Sequence, residues 1–509
     1  MATPSEKLAT SLEALKALQT EGKVAIRSSD LSRTNRERLL ANGFLQEIMK
    51  GWYIAAGPDG IQGESTAWYS SFWGFCASYL GERFGSEWCI SPEQSLLLHS
   101  GNWSVPKQLL IRHHKAGNKI IHLPHGTSLL DIRATLPPEG QQQQLNGVHL
   151  FSVESALIAC SANFFRQNPT DARAALSTLA DASGLLALLL EGGHSTIAGR
   201  LAGAFRNIGR IRIADDIIGT MSKAGYSIRE SDPFKDNPVL ILSRRNCSPH
   251  VNRIRLMWEM MRTQVIENFP KAPGLPKDRV EYMKHVEEVY VTDAYHSLSI
   301  EGYQVTRELI ELVRHGNWNP DINEEDRQQR NALAARGYWQ AFQEVEKSIQ
   351  RILKGEDPGT VAEEGHGTWY RELFAPSVTA GLLRPADLAG YRNNPVYIRR
   401  STYVPPSHEA VRDIMPAFFE LLVEESEPAV RAVLGHFVFV YIHPYSDGNG
   451  RIGRFLMNTM LASGGYPWAV VPVDKRKNYM HALEQASVGQ NIVPFTEFLG
   501  KRCAYGSGT

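Results

Sequence analysis

The 509-residue chain has no long hydrophobic run: its longest purely aliphatic stretch, Leu185 to Leu190, falls far short of the roughly 20 residues a membrane-spanning helix needs. Its first residues lack a basic flank followed by an apolar core, so nothing there points to export. Cysteine is scarce. Cys76, Cys89, Cys160, Cys247 and Cys503 are scattered without Cys-x-x-Cys spacing, which argues against a disulfide scaffold or a thiolate zinc site and for reduced thiols in a cytoplasm. Net charge is absent too: 54 Lys and Arg balance 54 Asp and Glu, so no global field recruits nucleic acid or a membrane. His122 and His125 have a metal-like spacing but no acidic or thiol partners nearby. With 43% hydrophobic residues the composition is that of an ordinary soluble protein, too long for one core, and about two to four domains are expected.

The chemistry concentrates in His443-Pro444-Tyr445-Ser446-Asp447-Gly448-Asn449-Gly450-Arg451-Ile452-Gly453-Arg454. Val430 to Ile442 before it and Arg451 to Leu461 at its end have helical apolar spacing, so a loop lies between two helices. Pro444 cannot continue the first helix, which puts His443 at its C-terminal lip, facing a cleft as a candidate base. Gly448 and Gly450 permit close backbone approach, and the amides of Asn449 and Gly450 open the second helix, an anion-attracting end. Asp447 beside it is a hard oxygen ligand, suited to magnesium shared with a polyphosphate. Arg451 and Arg454, three apart, lie on one side of the new helix and can fork onto phosphate oxygens.

This run matches the signature of the Fic family in full, so the chain resembles a Fic-type protein adenylyltransferase. The resemblance implies an all-helical core, ATP as donor and Mg2+ as metal. It also implies that His443 deprotonates a Ser, Thr or Tyr hydroxyl of a target protein, which attacks the α-phosphate. It assigns magnesium to Asp447, the phosphates to Gly448, Asn449, Gly450, Arg451 and Arg454, and the adenine pocket to Asn458 and Tyr479. Tyr445 departs from the usual phenylalanine and keeps the aromatic packing. The lysine that related phosphate-transferring toxins carry in place of Gly450 is absent, as is the alanine that phosphocholine-transferring relatives carry in place of Gly448.

Upstream, Ser297-Leu298-Ser299-Ile300-Glu301-Gly302 resembles the family's inhibitory motif, in the position of the class that carries it N-terminal to the core. Glu301, near the end of a helix running from about Val280, would pair with Arg454 and take the guanidinium that the γ-phosphate needs. Tyr391 to Ile398 with Tyr403-Val404-Pro405-Pro406 resembles the extended flap that binds a target segment by strand addition, with Val396, Tyr397 and Ile398 as its edge.

At the other end, Leu8 to Leu18 reads as a helix, Ser28 or Ser29 caps a brief helix through Asp30-Leu31, and Arg33 to Ala41 forms another that Asn42-Gly43 ends. Phe44 to Ile48 and Trp52 to Ala55 read as strands around Lys50-Gly51. Ser29 to Ala56 resembles the N-terminal winged helix of AbiEi-type antitoxin regulators, which implies operator DNA as a partner through Arg33, Arg36, Arg38 and Lys50. Residues 1 to 60 nevertheless hold eight Lys and Arg against seven Asp and Glu, so that field is local to one helix.

Between them, Glu93 to Leu98 and Glu154 to Ala159 look helical, Gln108 to Arg112 and Ile120 to Leu123 look like strands, and Gln141 to Gln144 like a polar loop tip. Arg244 to Pro249 reads as a linker. The expectation is therefore a multidomain, mainly α cytoplasmic protein: a winged helix at 1–60, a mixed α/β domain at 61–248 and a helical Fic core with its inhibitory helix at 249–509. Two other functions stay open beside AMP transfer: removal of AMP from a modified hydroxyl, and a DNA-binding autoregulator whose core senses nucleotide. Self-association is left open as well.

Overall fold

In the computed structural model, residues 3–57, 65–234, 248–315 and 326–504 are described; most of the expected linker, Arg244 to Cys247, lies outside them. The chain gathers into two compact units, one of residues 1–253 with Tyr397–Val404, the other of 254–396 with 405–509. Among the described residues no helix is long and apolar enough to cross a membrane, and Cys76, Cys89, Cys160 and Cys503 are buried free thiols.

The first unit begins with the helix Pro4–Thr20, whose N-cap Thr3 and Glu6 form a reciprocal capping box. Strand β1 (Ile26–Arg27) and the helix Arg33–Ala41 follow, then β2 (Leu45–Met49) and β3 (Trp52–Ala55), in the sheet order β1-β3-β2. The brief helix expected through Asp30-Leu31 is a turn instead. The Asp30 carboxylate accepts the Arg27 N–H at 2.8 Å while its own N–H donates to the Arg27 carbonyl, and this local closure competes with a helical turn. Next come the helix Thr66–Phe84 and strands β4 (Cys89–Ile90), β5 (Gln108–His113), β6 (Ile120–His122) and β7 (Ser128–Arg133), ordered β4-β5-β7-β6 with β5 and β7 parallel. Gln141 to Gln144 is not a loop tip. Gln142–Leu145 is strand β8, paired antiparallel with β9 (Val148–Phe151) around Asn146 and Gly147, both at positive φ, a tight turn of the kind that suits hairpin twist. Helices from Val153 to Lys223 complete this unit around their own apolar cluster.

Every secondary-structure element among the described residues of the second unit is a helix. The helix Pro428–Ile442, started by proline and apolar on nearly every face, is buried along almost its whole length, as a central core helix must be. Asn449–Ala462 packs against it, and Arg279–Ile300 and Asp326–Leu353 pack on each other at its side. That arrangement carries the signature loop.

Candidate active site

The helix Pro428–Ile442 ends at His443, whose backbone turns left-handed (φ 53°, ψ 58°) before Pro444. The imidazole Nδ1 lies 3.0 Å from the Val440 carbonyl, a contact that only a protonated Nδ1 can make, so Nε2 keeps its lone pair. Burial holds the His443 pKa below its usual value, against the pull of the Val440 carbonyl, and the Arg392 charge works in the same direction as burial. Nε2 is thus a bare acceptor at neutral pH.

The following loop is braced from within. Asn449 Oδ1 accepts the Tyr445 N–H at 2.9 Å and its amide donates to the Tyr445 carbonyl at 2.8 Å, so the Asn449 side chain is committed to the loop. Tyr445 stacks flat on Tyr370, 3.9 Å between centroids. Gly448 is left-handed (φ 79°) and caps the helix Asn449–Ala462 with no side-chain hydrogen bond, leaving the first amides of that helix open. A Cβ on Gly448 would strike the Phe374 ring at 2.8 Å.

Two guanidiniums face this end. Arg451, 1% exposed, lies over the rings of Tyr303 and Phe374 and reaches Asp447 Oδ2 at 3.4 Å. Arg454, 2% exposed, donates from Nε to Ser297 Oγ (2.7 Å) and from Nη2 to the Ser297 carbonyl (3.1 Å) and Glu301 Oε1 (2.8 Å). Among the described residues its Nη1 has no hydrogen-bond partner. A Cβ on Gly450 would meet Glu301 Oε1 at 2.4 Å and Arg454 Nη1 at 3.2 Å, so the ion pair sits directly on the open helix end. Burial alone would raise the Glu301 pKa, but Arg454 and Arg451 overcome it and hold the carboxylate below its usual range.

The helix that ends in Glu301 spans Arg279–Ile300, capped by Asp278. Gly302 (φ 91°) closes it, with Tyr303 N–H returning to the Leu298 carbonyl in a Schellman pattern. Arg476 Nε donates to the Ile300 carbonyl at 2.8 Å and fixes that end. Two turns before that end, buried Asp293 accepts the Tyr338 hydroxyl at 2.5 Å. Arg476, Tyr338, Phe374 and Tyr303 were not singled out from the sequence; isolated arginines and aromatics on helices carry no short pattern.

Asp447 is exposed over 68% of its side chain, with Oδ1 taking the Gly448 N–H at 2.6 Å. One solvent-facing carboxylate next to a bare helix N-terminus fits magnesium, which takes one or two carboxylates and completes its shell with water and phosphate oxygens.

Other expected positions are used differently. Asn458 donates to the carbonyls of Arg454 and Ala469 and accepts the Ala469 N–H, which pins a loop. Tyr479, 1% exposed, bonds His436 Nε2 at 2.7 Å and packs on Phe495 and Phe498. No paired strand runs between Tyr391 and Pro406. Arg400 turns left-handed (φ 62°), and Arg392 takes the carbonyls of Asn394 and Pro406 that a ladder would need. Val396 falls in the second unit and Tyr397 and Ile398 in the first, where the Thr402 carbonyl accepts the Val105 N–H. On the helix Arg33–Ala41, Arg36 donates to the Ser28 carbonyl and Arg38 to the Lys7 carbonyl and Ser11 Oγ, so both are tied inward. Arg33 is exposed and paired with Glu37, and Lys50 is exposed.

Comparison with known proteins follows the same geography. A protein adenylyltransferase Fic from Nematostella vectensis is 26% identical over 275 residues, 52% of this chain and 59% of that protein. One from Drosophila willistoni is 31% identical over 223 residues, 42% of this chain and 40% of that protein. The chain therefore spans about half the length of these curated relatives. Among solved structures, a Fic-1 fragment from C. elegans aligns at 18% identity and a TM-score of 0.37, covering 67% of this chain and 96% of the fragment. Residues 366–461, which hold His443 and the open helix end built around it, match the model of the Fic/DOC family.

Proposed function

We propose that the chain is a protein adenylyltransferase, transferring AMP from ATP to a hydroxyl side chain of a target protein, and that Glu301 holds it inactive at rest. The observation that carries this reading is the bare His443 Nε2 on a loop that ends in an uncapped helix N-terminus. The relatives that bear that name support it.

In this reading Nε2 takes the proton of a Ser, Thr or Tyr hydroxyl as its oxygen attacks the α-phosphorus. The new P–O bond forms while the bond to the bridging oxygen breaks, and pyrophosphate leaves. The backbone amides at Asn449 and Gly450 and the guanidiniums of Arg451 and Arg454 hold phosphate oxygens, each charged hydrogen bond contributing about 1.5–3 kcal/mol. Magnesium, held by Asp447 and the phosphates, neutralises charge on the polyphosphate when bound. Arg454 Nη1, which has no hydrogen-bond partner among the described residues and lies beside Gly450, is the donor to meet a phosphate. Glu301 already occupies Nη2 and the space over Gly450, so ATP binds with its phosphates displaced until that carboxylate withdraws.

The test is incubation of wild type, Glu301→Gly and His443→Ala with α-labelled ATP and magnesium, followed by mass spectrometry for covalent AMP. Strong label on Glu301→Gly, weak on wild type and none on His443→Ala is expected. No label on any of the three, with ATP bound, would replace AMP transfer by AMP removal or nucleotide sensing.

A second reading concerns residues 3–57, whose helix, strand, helix and two-stranded wing in the order β1-β3-β2 support a winged helix that contacts operator DNA. With Arg36 and Arg38 committed, Arg33 and Lys50 are the side chains to test, by anisotropy on duplex DNA across a salt series.

A further inference from the structure

A left-handed backbone at a residue other than glycine persists only where its surroundings enforce it, and His443 is in that state at the point where the candidate base is aimed. On the helix side its own N–H reaches the Phe439 carbonyl at 3.0 Å. On the loop side one residue supplies the restraint. Arg392, 2% exposed, donates Nε to the His443 carbonyl at 2.8 Å, and its backbone N–H reaches the Pro444 carbonyl at 2.9 Å. The same guanidinium extends Nη1 to the Asn394 carbonyl (3.1 Å) and Nη2 to the Pro406 carbonyl (2.5 Å), the two roots of the segment between them. Only a planar fork with donors on three nitrogens can satisfy three carbonyls spread this way; an ammonium on a flexible stem cannot.

We infer that Arg392 is a positioning residue for AMP transfer: it fixes the direction of the His443 imidazole and ties it to both roots of the 395–405 segment. The inference rests on the proposed activity. Arg392 bonds the peptide carbonyl of the base, so it acts through the His443 backbone. Its charge adds a secondary effect, because it stands among the groups that face the imidazole: Glu301 and Asp447 favour protonation there, and Arg392 opposes it.

Arg392→Met and Arg392→Lys are made in full-length Glu301→Gly protein, and labelling from α-labelled ATP is followed alongside ATP affinity by calorimetry. Misplacing a reacting group by about 1 Å costs on the order of a hundredfold in rate. The expected result for Arg392→Met is a loss of about that size in labelling rate, with the ATP dissociation constant changed less than twofold and partial recovery in Arg392→Lys. In nucleotide-free protein the His443 imidazole resonance, assigned by its absence from His443→Ala, should move and titrate at higher pH in Arg392→Met. Folded Arg392→Met with full labelling and an unmoved resonance overturns the inference. So does a loss of rate matched by an equal loss of ATP affinity, which marks a merely structural role. If Arg392→Met does not fold, Arg392→Lys gives both readings. If the Glu301→Gly parent takes no label, AMP transfer fails as the function, while the resonance still tests what Arg392 does to the histidine.

Discussion

His443 and His436 are both held neutral, and the consequences differ because one faces a cleft and the other is sealed. For His443, burial lowers the pKa below the usual 6.5 or so, so the base form persists as pH falls and is lost only through that depressed value. The labelling rate of Glu301→Gly should therefore be flat near neutrality, with its acidic limb below pH 6.5; a limb above that value would contradict the geometry. His436, fully buried against Tyr479 and Phe495, is pushed down to about 4. A depressed pKa means the unfolded chain binds the proton first, so stability present above about pH 6.5 is lost as pH falls toward about 4. Between pH 6.5 and 5 that linkage amounts to about 2 kcal/mol at 1.36 kcal/mol per unit. Urea unfolding of wild type against His436→Phe at those two pH values checks it, since the histidine's share of the pH dependence should vanish in the variant. At this scale the sequence was most legible: the signature residues meet because they are neighbours on one loop. The partners of Asn458 and Tyr479 were not, because the buried amide and hydroxyl bond to groups 11 and 43 residues away.

At the scale of elements, the helix Arg279–Ile300 matters to the proposed inhibition through its last turn. Glu301 reaches Arg454 only if the helix stops where it does, and the stop is made by Gly302 at φ 91° and by Arg476 on the Ile300 carbonyl. A side chain at the left-handed position costs about 1–2 kcal/mol, so Gly302→Ala should unwind this end part of the time. Basal labelling should then rise about five- to thirtyfold, and by less than in Glu301→Gly; no rise would show that the carboxylate is held independently of the helix end. Helices with strong apolar period and proline or glycine punctuation were read from sequence to within a few residues, as at Arg33–Ala41 and Pro428–Ile442. The errors fell where local side chains outvote period: Asp30 closing a turn, and Asn146-Gly147 making a hairpin from glutamine-rich sequence.

For the whole molecule, two compact units imply two cooperative blocks, and the first contains a charge pair that can report on it alone. Asp171 accepts hydrogen bonds from Arg253 and, at 2.8 Å, from Ser100, with Asp171 and Arg253 both about 1% exposed. Arg253 lies at the start of the helix Pro249–Asn268 and Asp171 in the helix Pro169–Ser177, so the contact closes a long stretch of chain inside that unit. Removing one partner of a buried pair strands the other charge in a low dielectric and costs about 3–5 kcal/mol, far more than an exposed pair such as Arg33–Glu37 is worth. Asp171→Ala should therefore lower hydrogen-exchange protection across residues 1–253 while residues 405–504 keep theirs. Equal loss in both would mean that the chain unfolds as one block, and that contacts inside each unit do not set its cooperativity.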